Sequence, residues 1–233
     1  MAQIGSYPER IDILSLGEEC YRRLKKDIVN GQLDWGTKLN VVELANRFGI
    51  SRSPVVKAID RLAMAGLVRV FPNKGSFVLI PTAEEISETL ETCEILATSL
   101  YRLAFAKNRG DLVIDLGQLT LPVKQKLEQR KGLTVWEFFE YERDFQQILC
   151  YYARNGRLTQ MYQAIRDQVE LFSVHSLTDE QLDHAVYNHA AVIEWLAADQ
   201  PDLAIKGVSK LFQTTRQQIL AYLAIHEGDF IYH

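Results

Sequence analysis

Apolar residues fall at every fourth position near the start of the chain. In residues 14–30, LSLGEECYRRLKKDIVN, the positions Leu16, Cys20, Leu24 and Ile28 share one face of a predicted helix. Gly31 follows where a C-terminal cap belongs. A turn-rich link, QLDWGTKL, comes next. Asn40 then stands three residues before Glu43, the spacing of a capping box, and predicts a second helix, VVELANRF, that Gly49 breaks. Ser51-Arg52-Ser53-Pro54 opens a third, because proline is tolerated in a first turn whose N–H groups have no helical partner. Val55, Ala58, Ile59 and Leu62 recur at helical spacing until Gly66. Two β-rich runs, 67–71 and 76–80, flank Pro72-Asn73-Lys74-Gly75 and predict a hairpin.

Beyond Pro81 the period changes. Amphipathic stretches cover roughly 83–108, 111–131, 134–154, 157–175, 178–199 and 201–226, with breaks expected at Gly110, Gly132, Asn155-Gly156, Ser176 and Pro201. The fold class that follows is mainly α. A winged helix-turn-helix occupies 1–80, and an all-helical bundle of six or seven helices occupies 81–233.

Composition narrows the class without changing this picture. Of the 233 residues, 47% are hydrophobic and 24% charged, the balance of a globular chain rather than a disordered or fibrous one. No apolar run approaches the ~18–20 residues that span a bilayer, so no membrane partner is expected. The first ten residues, MAQIGSYPER, lack the basic-then-apolar layout of a signal peptide. Cys20, Cys93 and Cys150 are odd in number, far apart and in no CxxC, and read as reduced thiols of a cytoplasmic protein. The net charge of −4 conceals a split. Residues 1–80 hold 12 Lys/Arg against 8 Asp/Glu, a net of +4, whereas residues 81–233 hold 14 against 22, a net of −8. A basic first third on an acidic body fits a chain in which only that third meets a polyanion.

The winged layout suits duplex DNA. The second helix of such a pair lies in the major groove with its first residues at base edges, and the hairpin adds contacts to neighbouring backbone. Here Ser51, Arg52 and Ser53 stand at the start of that helix. Val56 and Lys57 occupy the face opposite Val55, Ile59 and Leu62. Lys74 tips the wing, and Arg47 and Lys38 flank the unit. These eight residues are the expected DNA contacts.

At these positions the sequence resembles the GntR family of bacterial transcription regulators. Residues from Leu24 through Gly31-Gln32-Leu33 to Gly36-Thr37-Lys38-Leu39 resemble its "L..I..G.L.PG..L" opening, with Trp35 where proline is usual. Glu43-Leu44-Ala45 with Phe48-Gly49-Ile50-Ser51-Arg52-Ser53-Pro54-Val55 resembles "ELA..LGVSRTPV", and Asn73-Lys74-Gly75-Ser76-Phe77-Val78 resembles "N.GAFV". The resemblance implies a dimeric regulator, usually a repressor, on a palindromic double-stranded operator. It also exposes departures. The family's "VREAL" arginine falls on Val56 and its glutamate on Lys57, and a further basic position falls on Val42. Only Arg52 remains of three arginines, which implies an unusual operator, since valine offers a thymine methyl group only apolar contact.

The second domain resembles the FadR-type branch, whose helical domain binds a small effector. Phe145 with Asn155, and His189 with the segment to Pro201-Asp202-Leu203-Ala204, carry that likeness. Many members of that branch hold a metal through an aspartate, a histidine four residues on and two later histidines. The matching positions here are Glu142, Gln146, His189 and Leu211. One carboxylate, one amide and one imidazole make a poor transition-metal site, so no metal or other cofactor is expected. The likeness also places Cys93 and Ala97 where an arginine and a glutamate often face the ligand, which implies a less acidic or more apolar effector, or none. Glu142, Gln146, His189, Asn155 and Cys93 are the candidate effector residues, with Tyr101 and Trp195 as walls. Glu140, Glu142 and Asp144 also read as a solvated acidic run, since one helix does not aim alternate residues at one point.

No GxSxG, P-loop, GxGxxG or HExxH occurs, so an enzyme is not expected. A bundle that only dimerises, without a small ligand, is the main alternative, and a metal-dependent enzyme a remote one.

Overall fold

The computed structural model describes residues 13–226 and 228–232; the reading of the first ten residues lies outside them. The described chain divides into two compact units. One comprises residues up to Ile80 together with Phe230–Tyr232, the other Pro81–Asp229. The last aromatic residues thus pack with the first unit, whereas the sequence reading assigned all of 81–233 to the second.

The first unit contains helices α1 (Ile13–Val29), α2 (Val41–Phe48) and α3 (Arg52–Met64) and strands β1 (Val68–Phe71) and β2 (Gly75–Val78). Leu24 and Ile28 of α1 are fully buried, as are Val55, Ala58 and Leu62 of α3, so the apolar faces of the two helices make the core between them. Asn40 caps α2 by accepting from the Val42 and Glu43 amides. Glu18 on α1 forms an ion pair with Arg61 on α3, and the Arg61 guanidinium lies 4.1 Å from the Tyr21 ring centre.

The two strands form an antiparallel hairpin in which Val68 faces Val78 and Phe71 faces Gly75. At its turn, the Lys74 amide donates to Phe71 O at 3.1 Å. Asn73 there takes φ +63°, the positive value required after proline in a type II turn. The link before α2 is more ordered than its turn-rich composition suggests. Gly36 N–H donates to Val78 O, Val78 N–H to Thr37 O and Leu39 N–H to Ser76 O, so residues 36–39 run beside β2 as a short third rung.

Trp35 is buried and its ring centre lies 5.0 Å from that of Phe230. Tyr232 packs edge-on against Phe71 and Phe77, and its hydroxyl accepts from the Ile80 amide at 2.9 Å. Gly36 makes room for this segment. Its φ is +77°, and a Cβ there would stand 2.8 Å from the Ile231 carbonyl oxygen.

The second unit is built on α4 (Ala83–Glu128), which packs against all four other helices of that unit: α5 (Val135–Ala153), α6 (Gly156–Ser173), α7 (Asp179–Ala197) and α8 (Pro201–Ile225). The expected break at Gly110 falls instead at Asn108, where φ −160° and ψ 77° kink α4 into two helical segments. Asn108 caps the second segment itself, accepting from the Asp111 amide and donating to its carboxylate. Counted across that kink, the described residues of the bundle form six helical segments. Thr82, Thr134 and Thr178 start α4, α5 and α7 with capping boxes. No helix among the described residues is long and apolar enough to cross a membrane.

Candidate functional site

In the first unit, the geometry of α3 separates a packed face from an open one. Pro54, Val55, Ala58, Ile59 and Leu62 are buried. Ser51, Arg52, Ser53, Val56 and Lys57 are exposed, and together they form one continuous strip along the first turns. Ser51 occupies the N-cap position but makes no side-chain capping bond. The Ser51 side chain thus leaves the first-turn amides of Arg52 and Ser53 uncapped, and Pro54 at the third position has none to cap.

The flanking basic residues differ in freedom. Lys74 is exposed at the hairpin turn. The Lys38 side chain is also exposed, with its ammonium 5.4 Å from the Phe77 ring centre, which sets it beside the wing. Arg47 is more committed than the sequence suggests. Its guanidinium pairs with the nearly buried Asp27 at 3.3 Å, tying α2 to the end of α1. Half its side chain is still exposed.

The second unit holds a partly open cavity of about 80 Å³. Glu142, Gln146, His189 and Leu211, the four positions matched to the metal set, all line it. They are joined by Arg166 and Glu170, which the sequence reading missed. Arg166 donates to Glu142 Oε2 at 3.4 Å and to Glu170 Oε1 at 3.1 Å. Arg143, one-third exposed, reaches Glu170 Oε2 at 3.3 Å and Glu140 at 3.1 Å. Tyr101, Phe138, Phe139 and Phe212 supply aromatic wall. His184 also lines the cavity, although no spacing in the sequence recommended it.

The acidic run 140–144 therefore divides. Glu140 and Asp144 face solvent, while Glu142 is buried. Its two oxygens have different surroundings. Oε2 meets Arg166. Oε1 lies 3.3 Å from His189 Nε2 but out of hydrogen-bond alignment, so it has no hydrogen-bond partner among the described residues. Gln146 Oε1 is in the same state.

His189 is 2% exposed and stacks on Phe145 with ring centres 4.1 Å apart. Its Nδ1 lies 3.1 Å from the Tyr141 hydroxyl, which in turn lies 3.1 Å from Thr120 Oγ1. Burial pushes the imidazole below its ordinary range, Glu142 pulls the other way, and Arg166 adds to the depression. The ring is neutral at pH 7, so its approach to Glu142 is not an ion pair. Thr120, Tyr141 and His189 thus form one buried polar chain, and the far side of the ring, Nε2, lies 3.3 Å from Glu142 Oε1.

Two expected cavity residues lie elsewhere. Asn155 is exposed and caps α6, its side chain accepting from the Leu158 amide at 3.1 Å. Its carbonyl is thereby spent. Cys93 is fully buried in the core, where burial pushes its thiol up to about 12, but it does not line the cavity. Trp195 likewise packs over Gly207 rather than walling the cavity.

The donor set does not fit the metal that the fold family implies. Glu142 and His189 are joined by an amide and by Leu211, and the fixed cation Arg166 already occupies one oxygen of the carboxylate. No group of three or more His, Cys, Asp or Glu suited to a metal occurs among the described residues.

Comparison with known proteins places both units. Residues 16–78 match the family described as bacterial regulatory proteins, gntR family, and residues 88–214 match the FCD domain. An uncharacterized HTH-type transcriptional regulator of Bacillus subtilis, YdhC, is 27% identical over 92% of this chain and 90% of its own. The gluconate operon transcriptional repressor of Bacillus licheniformis is 23% identical over 96% and 97%. Among solved structures, Escherichia coli McbR/YncC superposes with a TM-score of 0.75 at 18% identity, covering 89% of this chain and 98% of that one. A GntR regulator from Rhodococcus covers the same shares with a TM-score of 0.72.

Proposed function

Because the chain belongs to the GntR family of bacterial regulatory proteins with an FCD domain, and is a DNA-binding transcription regulator, we propose that it works as a homodimeric repressor whose grip on an operator is set by a small ligand. Its site of action is the cytoplasm, where the operator lies. Each protomer presents α3 to the major groove of one half-site.

The observation that carries this reading is the strip Ser51–Ser53, Val56 and Lys57, exposed along a helix whose other face is buried. Arg52 offers bidentate bonds to a guanine edge, Val56 apolar contact to a thymine methyl, and the open first turn a seat for phosphate. Lys57, Lys38 and Lys74 add charge toward the backbone. Arg47 contributes through Asp27, by fixing α2.

In the second unit, a cavity lined by two unpartnered buried oxygens supports an effector role over that of a plain dimerisation scaffold. A ligand there shifts DNA affinity by the difference in its own affinity for the two arrangements of the protein. Selection from random duplexes tests the reading. A palindromic operator is expected, and Arg52→Ala weakens binding to it by about 1–3 kcal/mol in a gel-shift titration. An unselective pool, or an Arg52→Ala variant with full affinity, overturns it.

A further inference from the structure

The polar balance of the cavity points away from an acidic ligand. Glu142 and Glu170 bring two carboxylates to its wall, and Arg166 brings one guanidinium. Arg143 also touches Glu170, but its own pairing with Glu140 offsets that charge. The set as a whole retains one negative charge. The charge of Arg166, which faces the cavity, is shared between both carboxylates. An incoming anion therefore meets a guanidinium already compensated and sits close to two like charges.

The unsatisfied groups agree. The two buried oxygens left without hydrogen-bond partners on this wall, Glu142 Oε1 and Gln146 Oε1, are both acceptors. They stand one helical turn apart on α5, on one face. A buried acceptor left unpaired is unfavourable, so a ligand that supplies donors to both gains affinity from each. Aromatic rings of Tyr101, Phe138, Phe139 and Phe212 complete the lining, and such faces attract cations as well as apolar carbon.

We propose that this cavity binds a small organic amine in its ammonium form, with N–H groups donated to Glu142 Oε1 and Gln146 Oε1 and its carbon body against the aromatic wall. The proposal rests on the effector role given above and names the chemical class of the effector. A water molecule at the two acceptors is the competing occupant.

The test uses the full-length protein and three probes of one shape, butylammonium chloride, sodium butyrate and 1-butanol, at tens of millimolar and constant ionic strength. Thermal shift reads binding, since a ligand of the folded state stabilises it by RT ln(1 + [L]/Kd). Titration calorimetry then gives affinities. Butylammonium is expected to raise the melting temperature and to bind at least tenfold more tightly than butyrate. Glu142→Gln and Gln146→Leu should each weaken it about tenfold. Gln146 takes part in no ion pair, so Gln146→Leu keeps the test sound should loss of the Glu142 charge unfold the bundle. Tighter binding of butyrate or butanol overturns the amine class and leaves the effector role standing. Ammonium binding that both variants leave unchanged places the cation elsewhere and also overturns it. If no probe of any charge shifts the melting temperature, the amine class is overturned, and the effector role is then judged by the operator-binding experiment alone.

Discussion

Arg166 and Glu142 meet at 3.4 Å across α6 and α5, and the same guanidinium holds Glu170 at 3.1 Å. All three side chains are nearly buried, with 13%, 9% and 4% exposure. Replacing Arg166 by methionine keeps most of the volume but leaves two buried carboxylates without the guanidinium they share. Breaking such a buried group is expected to cost about 3–5 kcal/mol. Urea denaturation followed by circular dichroism measures this, and a loss below about 1 kcal/mol would show that water already reaches the cluster.

His189 links stability to pH. Its folded-state affinity for a proton is below the ordinary value of 6.5, chiefly through burial. The groups that face it are Glu142, Arg166, Tyr141 and the stacked Phe145. On acidification the unfolded chain takes up a proton near pH 6.5 that the folded ring resists, so stability falls as pH drops below that value and levels off below the folded one. His189→Gln should remove this slope between pH 7 and 5. Melting temperatures of the two proteins across that range provide the comparison.

Gly207 marks a close crossing of α7 and α8. A Cβ at this position would lie 2.5 Å from Trp195 Cζ3 and 3.3 Å from Val192 Cγ2. The indole ring has little freedom to yield, so Gly207→Ala is expected to destabilise the second unit by about 1–3 kcal/mol, despite the better helix propensity of alanine. Calorimetric melting is the check. An increase in stability would mean that Trp195 swings aside at no cost.

Lys57 and Lys74 are expected to contact DNA phosphates rather than bases. Alanine at either should weaken specific and non-specific binding alike, and should reduce the slope of log K against log salt by about 0.9 per phosphate contact removed. Arg52→Ala, in contrast, should lower specific affinity most. Salt titrations on the selected operator and on a scrambled duplex separate the two behaviours.

Much of the first unit is legible locally. The Asn40–Glu43 spacing, the proline in the first turn of α3 and its apolar face all sit within a few residues of their effects, and the hairpin turn follows from Pro72-Asn73. What escaped the sequence depends on partners distant in the chain. Glu142 alternates with exposed acids and reads as solvated, until Arg166, twenty-four residues later, is seen against it. Asn155 fits a pattern that suggests a ligand, but its oxygen is used locally to start α6. The kink at Asn108 was displaced from Gly110 because a side chain able to cap outweighs a glycine that merely permits a bend. Phe230–Tyr232 are too few to carry a period, so nothing in their spacing announces that they pack on Trp35, Phe71 and Phe77.

The contact between Trp35 and Phe230 also gives the protein an internal optical label. Of its three tryptophans, Trp35 belongs to the first unit, and Trp136 and Trp195 to the second. A chain carrying phenylalanine at 136 and 195 therefore emits from the first unit alone, and one altered at 35 from the second alone. Melting the two side by side would reveal whether both halves unfold at one temperature or in sequence, and whether an added amine or duplex is felt by the half that does not bind it.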